Sequence, residues 1–552
     1  MTKNKTTFEE CELQVHVNEV TEEQAYVDYE EEEIIDFEEN ITNKQAETAD
    51  LKELGSIADF EVYDEVPDTG QKRENTRFVR KRKSADLVKS RLVVTQLKAK
   101  TKHVYDRDEL YASTPSFCIL RLLLIMALAM GLCIFTCDVS TAFLHADLPT
   151  GTEVFVQPPE PYCKPGILWK LKKALYGLRA APAAWQKHFA KVVTTSLHFT
   201  RSKYDPNVYF APGIWILVHV DDILLVGSMV LCRKLISDLS KHLLMKETGN
   251  LNDEHSEITF LGRLMKRTGD AILFIVEQSY YDQLFEEGGV TGSRSVTSPG
   301  MKTRDVMEHP NFLDATMHAL YRKLVGKLQW IVPLRGEMSF ATKELARRLC
   351  EPTDYDMLAT KHALKYLIGT RHYVYALRPR TRLGGIPKIL DVDAYADSDW
   401  AGCRQTRKST SGICIQVLGT TCLFASRTQE SIALSSGEAE LYAVGSTTAE
   451  GLFVCNFLKE VGLAEKTQLV CYTDSTAGKS LATRFGTSKR TRHIDTRLLY
   501  MQELVERGLL RLRKVPGTEN VADLGTKHLN GKDLEKFLER IGLEENYHMS
   551  TH

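Results

Sequence analysis

"ILVHVDDILLVGS" occupies residues 216–228 and sets two adjacent aspartates, Asp221 and Asp222, between apolar runs. Ile216, Leu217, Val218 and Val220 precede them; Ile223, Leu224, Leu225 and Val226 follow. A carboxylate in apolar surroundings costs free energy unless it is paired or bound to a cation, and two side by side also repel each other. An apolar strand, two acids and a second apolar strand read as a β-hairpin with carboxylates at its tip. Strands anchored in a sheet make that tip rigid, and rigid, adjacent oxygens suit a hard divalent cation such as Mg²⁺. A lone Asp-Asp pair is more often a hydrated turn, so the reading needs a third acid. "LCIFTCDVSTAFLHADL" (132–148) supplies it: Asp138 ends an apolar strand and precedes a turn of small residues. Two cations held by such acids can activate a 3′-hydroxyl and stabilise a leaving pyrophosphate, which is polymerase chemistry.

The chain has 552 residues, 43% hydrophobic and 26% charged, enough for several cores. Residues 1–70 hold 22 acids against four basic residues, a net of −18, so the rest carries +16 of a total of −2. A basic body behind an acidic head suggests a polyanionic partner for the body. Residues 71–107, with thirteen Lys/Arg against three acids, concentrate that charge and read as a nucleic-acid face, an import signal or an exposed loop. The twelve cysteines show no C-x-x-C pairs and no secretory signal opens the chain, so reduced thiols of an intracellular protein, cytoplasmic or nuclear, are expected. "CILRLLLIMALAMGLCIF" (118–135) runs only fourteen residues after Arg121. That is short of the roughly 20 a spanning helix needs, so a buried core helix and no membrane partner are expected.

Further signals fill in the order of elements. A strand at 132–138 is followed by a Pro/Gly-rich passage, a helix carrying Trp185 and the 214–227 hairpin. Helices dominate 280–375, and "TRLGGIPK" (381–388) reads as a linker. Short strands follow near 392–397, 412–418 and 422–425, then a helix near 436–460 and a strand ending at Asp474.

"CDVSTAFLHADL", "HVDDILLVG" and, between them, "LWKLKKALYGLRAAPAAWQ" (168–186) resemble the reverse transcriptase–RNase H region of copia-type LTR retrotransposon polyproteins. "MKETGNL" (245–251), "FLG" (260–262) and "YRKLVGKLQWI" (321–331) fit the same resemblance, which runs from about residue 76 to 530. It implies that Asp138, Asp221 and Asp222 bind metal and that Phe143 crowds a ribose 2′-OH, selecting dNTPs over rNTPs. Lys89 and Arg91 would grip the incoming triphosphate, with Tyr176, Gly177 and Arg179 under the nascent base pair and template. Phe260, Leu261 and Gly262 would support the primer end, and Lys246 is a candidate proton donor to pyrophosphate. The chain departs from the family pattern at His219, where Tyr is usual, at Ala180, where Gln is common, and in the short segment before Arg91.

A second acid set follows the linker. Asp397 ends a strand in "DAYADSDWAG", Glu440 lies in the helix of "ALSSGEAELYAV", Asp474 ends "LVCYTD", and Asp523 falls in "VPGTENVADLGTKHL". A strand acid, a helix acid, a second strand acid and a late acid form the RNase H pattern, able to hold two ions about a phosphodiester. Asp399 and Glu438 are near-misses in register. "KSTSG" (408–412) and "RHID" (492–495) also look copia-like.

The fold class expected is α/β (α+β): a right-hand polymerase followed by an RNase H-like domain. Its expected limits are an acidic, disordered head (1–70), fingers and palm (71–275), a mostly helical thumb and connection (276–385), an RNase H-like domain (386–530) and a tail (531–552). The implied function is RNA-directed DNA synthesis with hydrolysis of RNA in hybrids, using two Mg²⁺ or Mn²⁺ per active site. Implied partners are RNA template, DNA primer, RNA–DNA hybrid and dNTPs, with the capsid and integrase products of the same element. Protease, integrase and capsid motifs are not visible, so a fragment or reduced polyprotein is expected. The alternative is a decayed or co-opted element that only binds nucleic acid.

Overall fold

The computed structural model describes residues 41–84, 87–96, 110–149, 151–301, 311–476, 479–480 and 495–546. The first 40 residues of the acidic head, part of the basic 71–107 stretch and residues 492–494 of "RHID" lie outside them.

The helix Phe117–Met130 is buried from Cys118 to Ala129. A helix apolar on every face needs neighbours on every face. It packs against the strands Cys133–Val139 and Asp222–Gly227, and also against Tyr373–Leu377 and Thr420–Thr428. Its one charge, Arg121, is 4% exposed. Its guanidinium donates to the carbonyls of Cys422 (3.2 Å) and Pro333 and lies over the rings of Phe117 and Tyr375. No helix among the described residues is long and apolar enough to cross a membrane.

Four sheets surround this helix and a second core. The first runs Tyr63–Pro67, Ile167–Leu171, Phe155–Gln157, Arg73–Arg82, Val88–Thr95. The second runs Met245–Asn250, Cys133–Val139, Asp222–Gly227, Ile214–His219, Val208–Ala211, Thr200–Arg201. The third joins Glu257–Phe260, Arg263–Thr268 and Ala271–Ile275 to Tyr373–Leu377 and Leu543–Glu545. The fourth runs Thr420–Thr428, Thr410–Val417, Leu390–Ser398, Thr467–Thr473, Leu510–Lys514, its last three strands parallel and the long helix Ser436–Glu460 packed on it. Four longer helices lie between the third sheet's two halves: Gln278–Glu287, Ala315–Ile331, Ser339–Ala346 and Asp354–Thr370.

Two expected limits change, and the expected linker is held in place. Residues 41–70 are not a disordered head: Asn43–Asp59 is a helix and Tyr63–Pro67 is a strand of the first sheet. Thr42 and Gln45 form a capping box at the helix start. The inner face carries Ala49, Asp50, Glu53 and Ile57, all buried. Two of these are acids, and both find arginines: Asp50 pairs with Arg80 (2.7 Å) and Glu53 with Arg91 (2.9 Å). Residues 531–546 are not a tail: the helix Gly531–Leu538 is followed by Leu543–Glu545, which completes the third sheet against Tyr373–Leu377. The 381–388 segment has no regular structure but is tied down. Leu383 N donates to Ala129 O (2.7 Å) and Arg382 Nη1 to Leu128 O (3.0 Å), so the segment is bonded to the last carbonyls of the helix Phe117–Met130.

Candidate active sites

Asp138 and Asp222 sit on neighbouring antiparallel strands with their Cα atoms paired; on its other side Asp222 pairs with His219. The two-residue turn is Val220–Asp221, with Val220 at φ +51. A β-branched residue pays for a left-handed conformation, and this one is held from two sides: Trp185 Nε1 donates to Val220 O at 2.6 Å, and Val139 N to Asp221 O at 2.8 Å. Oxygens of Asp138, Asp221 and Asp222 lie within 4.8 Å of one another. Asp221 is exposed and the other two are half-buried. Burial, then Asp221 and Asp138, push the Asp222 carboxyl up to about 6. Asp138 is also raised, by burial and Asp221, against the pull of Lys89, Arg91 and Lys246. Lys246 is the Cα partner of Asp138 on the opposite edge. His219 is lowered by burial and so favours its neutral form.

The residues expected around a nucleotide gather near this triad. Lys89 and Arg91 alternate on the edge strand Val88–Thr95 and so share a face. Arg91 lies 4.9 Å over the Tyr176 ring, and Tyr176 meets Phe143 edge-on at 5.2 Å. Val94 N donates to Tyr176 O (2.8 Å) and Arg179 N to Gln96 Oε1 (3.0 Å), which ties the 176–179 turn to the first sheet. Gly177 is required there: its φ is +82, and a Cβ would fall 2.2 Å from Val94 O. Phe260, Leu261 and Gly262 form the turn into Arg263–Thr268, with Leu261 and Gly262 at positive φ. Phe260 itself is 1% exposed, so its side chain serves the core and only Leu261 and Gly262 are outside it. Sequence reading missed Glu53, the partner of Arg91. The capping box and the 49, 53, 57 spacing were the available signals. Burial raises the Glu53 carboxyl against the pull of Arg91.

The second cluster forms on the fourth sheet. Asp397 sits near the end of Leu390–Ser398, Glu440 in the first turns of Ser436–Glu460, and Asp474 just past Thr467–Thr473; their oxygens lie within 4.8 Å of one another. Asp523, in the short 3₁₀ turn Val521–Gly525, raises the Asp397 carboxyl by its charge. Thr526 Oγ1 donates to Asp397 Oδ2, and Lys527 Nζ lies 2.7 Å from Asp523 Oδ2. Gly412 of "KSTSG" lets that turn approach, since a Cβ there would fall 2.2 Å from Ala522 O. Burial first, then Asp523, push Asp397 up to about 7. Burial, then Asp397 and Asp474, push Glu440 up to about 8. Glu440 Oε2 and Asp523 Oδ1 are buried with no hydrogen-bond partner among the described residues. The near-miss acids have other work: Asp399 accepts Thr410 N, and Glu438 accepts Leu434 N (2.9 Å) and Tyr442 OH (2.6 Å).

Both clusters therefore present carboxylate oxygens that repel one another, and the second adds buried oxygens without a partner among the described residues; a hard divalent cation would relieve both. The donor sets fit Mg²⁺ or Mn²⁺.

Residues 60–302 match the family model described as reverse transcriptase (RNA-dependent DNA polymerase). The chain is 30% identical over 478 residues to the retrovirus-related Pol polyprotein from transposon TNT 1-94 of Nicotiana tabacum, covering 83% of this chain and 34% of that protein. It is 28% identical over 416 residues to the corresponding polyprotein from transposon RE1 of Arabidopsis thaliana, covering 74% and 27%. The chain belongs to the copia-type retrotransposon Pol polyproteins, in their reverse transcriptase region. It spans about a quarter to a third of the length of these two polyproteins. A solved foamy viral protease-reverse transcriptase in complex with RNA/DNA hybrid shares 12% identity at a TM-score of 0.42, covering 86% of this chain and 54% of that one; at that distance the likeness decides nothing.

Proposed function

We propose that this chain is an RNA-directed DNA polymerase that also cleaves RNA in RNA–DNA hybrids, with the first two sheets as fingers and palm, the helical region as thumb and connection, and the fourth sheet as an RNase H-like domain. The observation that carries the reading is the pair of separate carboxylate clusters, Asp138–Asp221–Asp222 and Asp397–Glu440–Asp474, each with oxygens within 4.8 Å. Bound Mg²⁺ or Mn²⁺ would supply activation of the attacking oxygen and charge stabilisation of the leaving group at each cluster. In the first, the rigid hairpin holds Asp221 and Asp222 beside Asp138, and Phe143 walls the place of the sugar. Lys89 and Arg91 provide positive charge for the triphosphate, and the turn at Leu261 and Gly262 supports the primer. In the second, Asp397, Glu440, Asp474 and Asp523 surround the scissile phosphate, with Thr526 fixing the Asp397 carboxylate.

Substrates are RNA template, DNA primer, dNTPs and the hybrid product. The test is extension of oligo(dT) on poly(rA) with Mg²⁺ or Mn²⁺, run beside release of labelled RNA from a hybrid. Activity in both assays is expected. Primer–template binding with no product in either assay would replace this reading with that of a nucleic-acid-binding protein.

A further inference from the structure

The helix Asn43–Asp59 lies outside the 60–302 match to the reverse transcriptase family, yet it reaches the nucleotide side of the first cluster. It runs along Val88–Thr95, the last strand of the first sheet, where an edge would otherwise stand open. Asp50 anchors it there, accepting Arg80 through two nitrogens (3.0 and 2.7 Å) and Ser90 Oγ at 2.6 Å. One turn on, Glu53 Oε2 accepts Arg91 Nη1 at 2.9 Å. The face of the same guanidinium lies over Tyr176. Nε and Nη2 of Arg91 have no partner among the described residues, and the side chain is 26% exposed. A guanidinium pinned at one nitrogen and along its face keeps one edge for a further acceptor, and that planar edge matches phosphate oxygens. Geometry links this side chain to the first cluster: Tyr176, beneath Arg91, meets Phe143 at 5.2 Å, and Phe143 lies in the turn that follows the Asp138 strand.

We propose that Glu53 is a positioning residue for the incoming nucleoside triphosphate: it holds the Arg91 guanidinium so that the remaining N–H groups meet the phosphates. The proposal rests on the polymerase reading above, and it assigns part of the nucleotide site to a helix that precedes the matched family region. The carboxylate does not touch the reacting atoms; it acts through Arg91.

Binding of dTTP to the full chain on poly(rA)·oligo(dT) in Ca²⁺ is compared for the wild type, Glu53→Gln, Arg91→Ala and the double variant, with single-nucleotide insertion in Mg²⁺ measured alongside. Glu53→Gln is expected to weaken dTTP binding and raise KM about fivefold, the size of one ordinary hydrogen bond, since the amide oxygen can still accept from Arg91 but without the charge, while kcat stays within about twofold. On the Arg91→Ala background the same change is expected to do nothing further, because the two residues act as one unit. Hybrid cleavage should be untouched, which shows the chain is folded. Unchanged or tighter dTTP binding in Glu53→Gln, or an equal loss on the Arg91→Ala background, overturns the proposal. A wild-type chain that binds dTTP but inserts none overturns the polymerase reading and leaves the binding comparison to decide Glu53. A wild-type chain that binds no dTTP overturns both.

Discussion

Asp222 faces Asp138 directly across an antiparallel strand pair, Cα to Cα, and the turn that precedes Asp222 adds Asp221 to the same cluster. The pairing follows from register: six consecutive pairs from Asp222↔Asp138 to Gly227↔Cys133 zip two apolar strands together. Both faces of these strands are buried, Ile134, Leu224 and Val226 in one core and Phe135, Cys137, Ile223 and Leu225 in the other. A slip of one residue would present one strand's side chains to the wrong core, so the packing fixes where the carboxylates meet.

Phe143→Ala should let the polymerase use rNTPs better, by about tenfold or more in the insertion ratio, since each 1.4 kcal/mol lost in discrimination is tenfold. The ring touches Tyr176 edge-on and is only half-buried, so the fold should survive its loss. Unchanged dNTP/rNTP selectivity in single-nucleotide insertion would count against its role as a steric wall.

The second cluster should titrate near neutrality. Without cation, Asp397 is held up to about 7 and Glu440 up to about 8, both chiefly by burial. The folded chain then binds more protons than the unfolded chain between the ordinary carboxylate range and about pH 8, so these groups make stability fall as pH rises through that window. Thermal melts of the cation-free chain should therefore drop from pH 6 to pH 8, and Mg²⁺ should recover more of the loss at pH 8 than at pH 6. Proton release on Mg²⁺ addition, read by calorimetry in two buffers, checks the same point. A Glu440→Gln, Asp397→Asn chain whose melting follows the wild-type pH profile would contradict it.

Arg335 and Glu337 form a pair 1% and 2% exposed, with Nε–Oε1 at 2.7 Å. Arg335 also donates to Tyr281, Thr370 O and Thr370 Oγ1, linking three helical segments. Glu337→Gln leaves a buried charge without its counter-ion and should cost about 3–5 kcal/mol. Denaturant unfolding followed by tryptophan fluorescence should show the midpoint move down; an unmoved midpoint would mean the pair is dispensable.

The acidic head calls for a particular truncation. Residues 41–70 supply a helix against the first sheet and one of its strands, so deleting 1–70 should destabilise the chain, whereas deleting 1–40 removes 14 acids and two lysines and keeps that helix and strand. The chain lacking 1–40 should bind primer–template more tightly at low salt, with the difference shrinking as salt screens the charge. Equal affinity at low salt would make those residues electrostatically inert.

Much of the site was legible because its elements are local. Asp221 and Asp222 interrupt an apolar run, Asp138 ends another, and the helix Phe117–Met130 is apolar but for Arg121. What was not legible depends on distant partners. Asp50 and Glu53 look like two more charges of an acidic head until Arg80 and Arg91 are brought against them from the neighbouring sheet. Leu543–Glu545 is too short to read as a strand until Tyr373–Leu377 offers it an edge. Phe260 looks like a primer contact by its motif, but the turn geometry points it into the core.

The central claim is that one chain carries two independent metal-dependent sites, and reciprocal substitution tests it most directly. Primer extension and hybrid cleavage are measured side by side on the wild type, Asp221→Asn and Asp474→Asn, with folding checked by circular dichroism. Asp221→Asn should lose at least about a hundredfold in extension, the order seen when one charge-stabilising group is removed, while keeping cleavage. Asp474→Asn should do the reverse. Loss of both activities in either folded variant, or retention of extension in Asp221→Asn, would contradict the account.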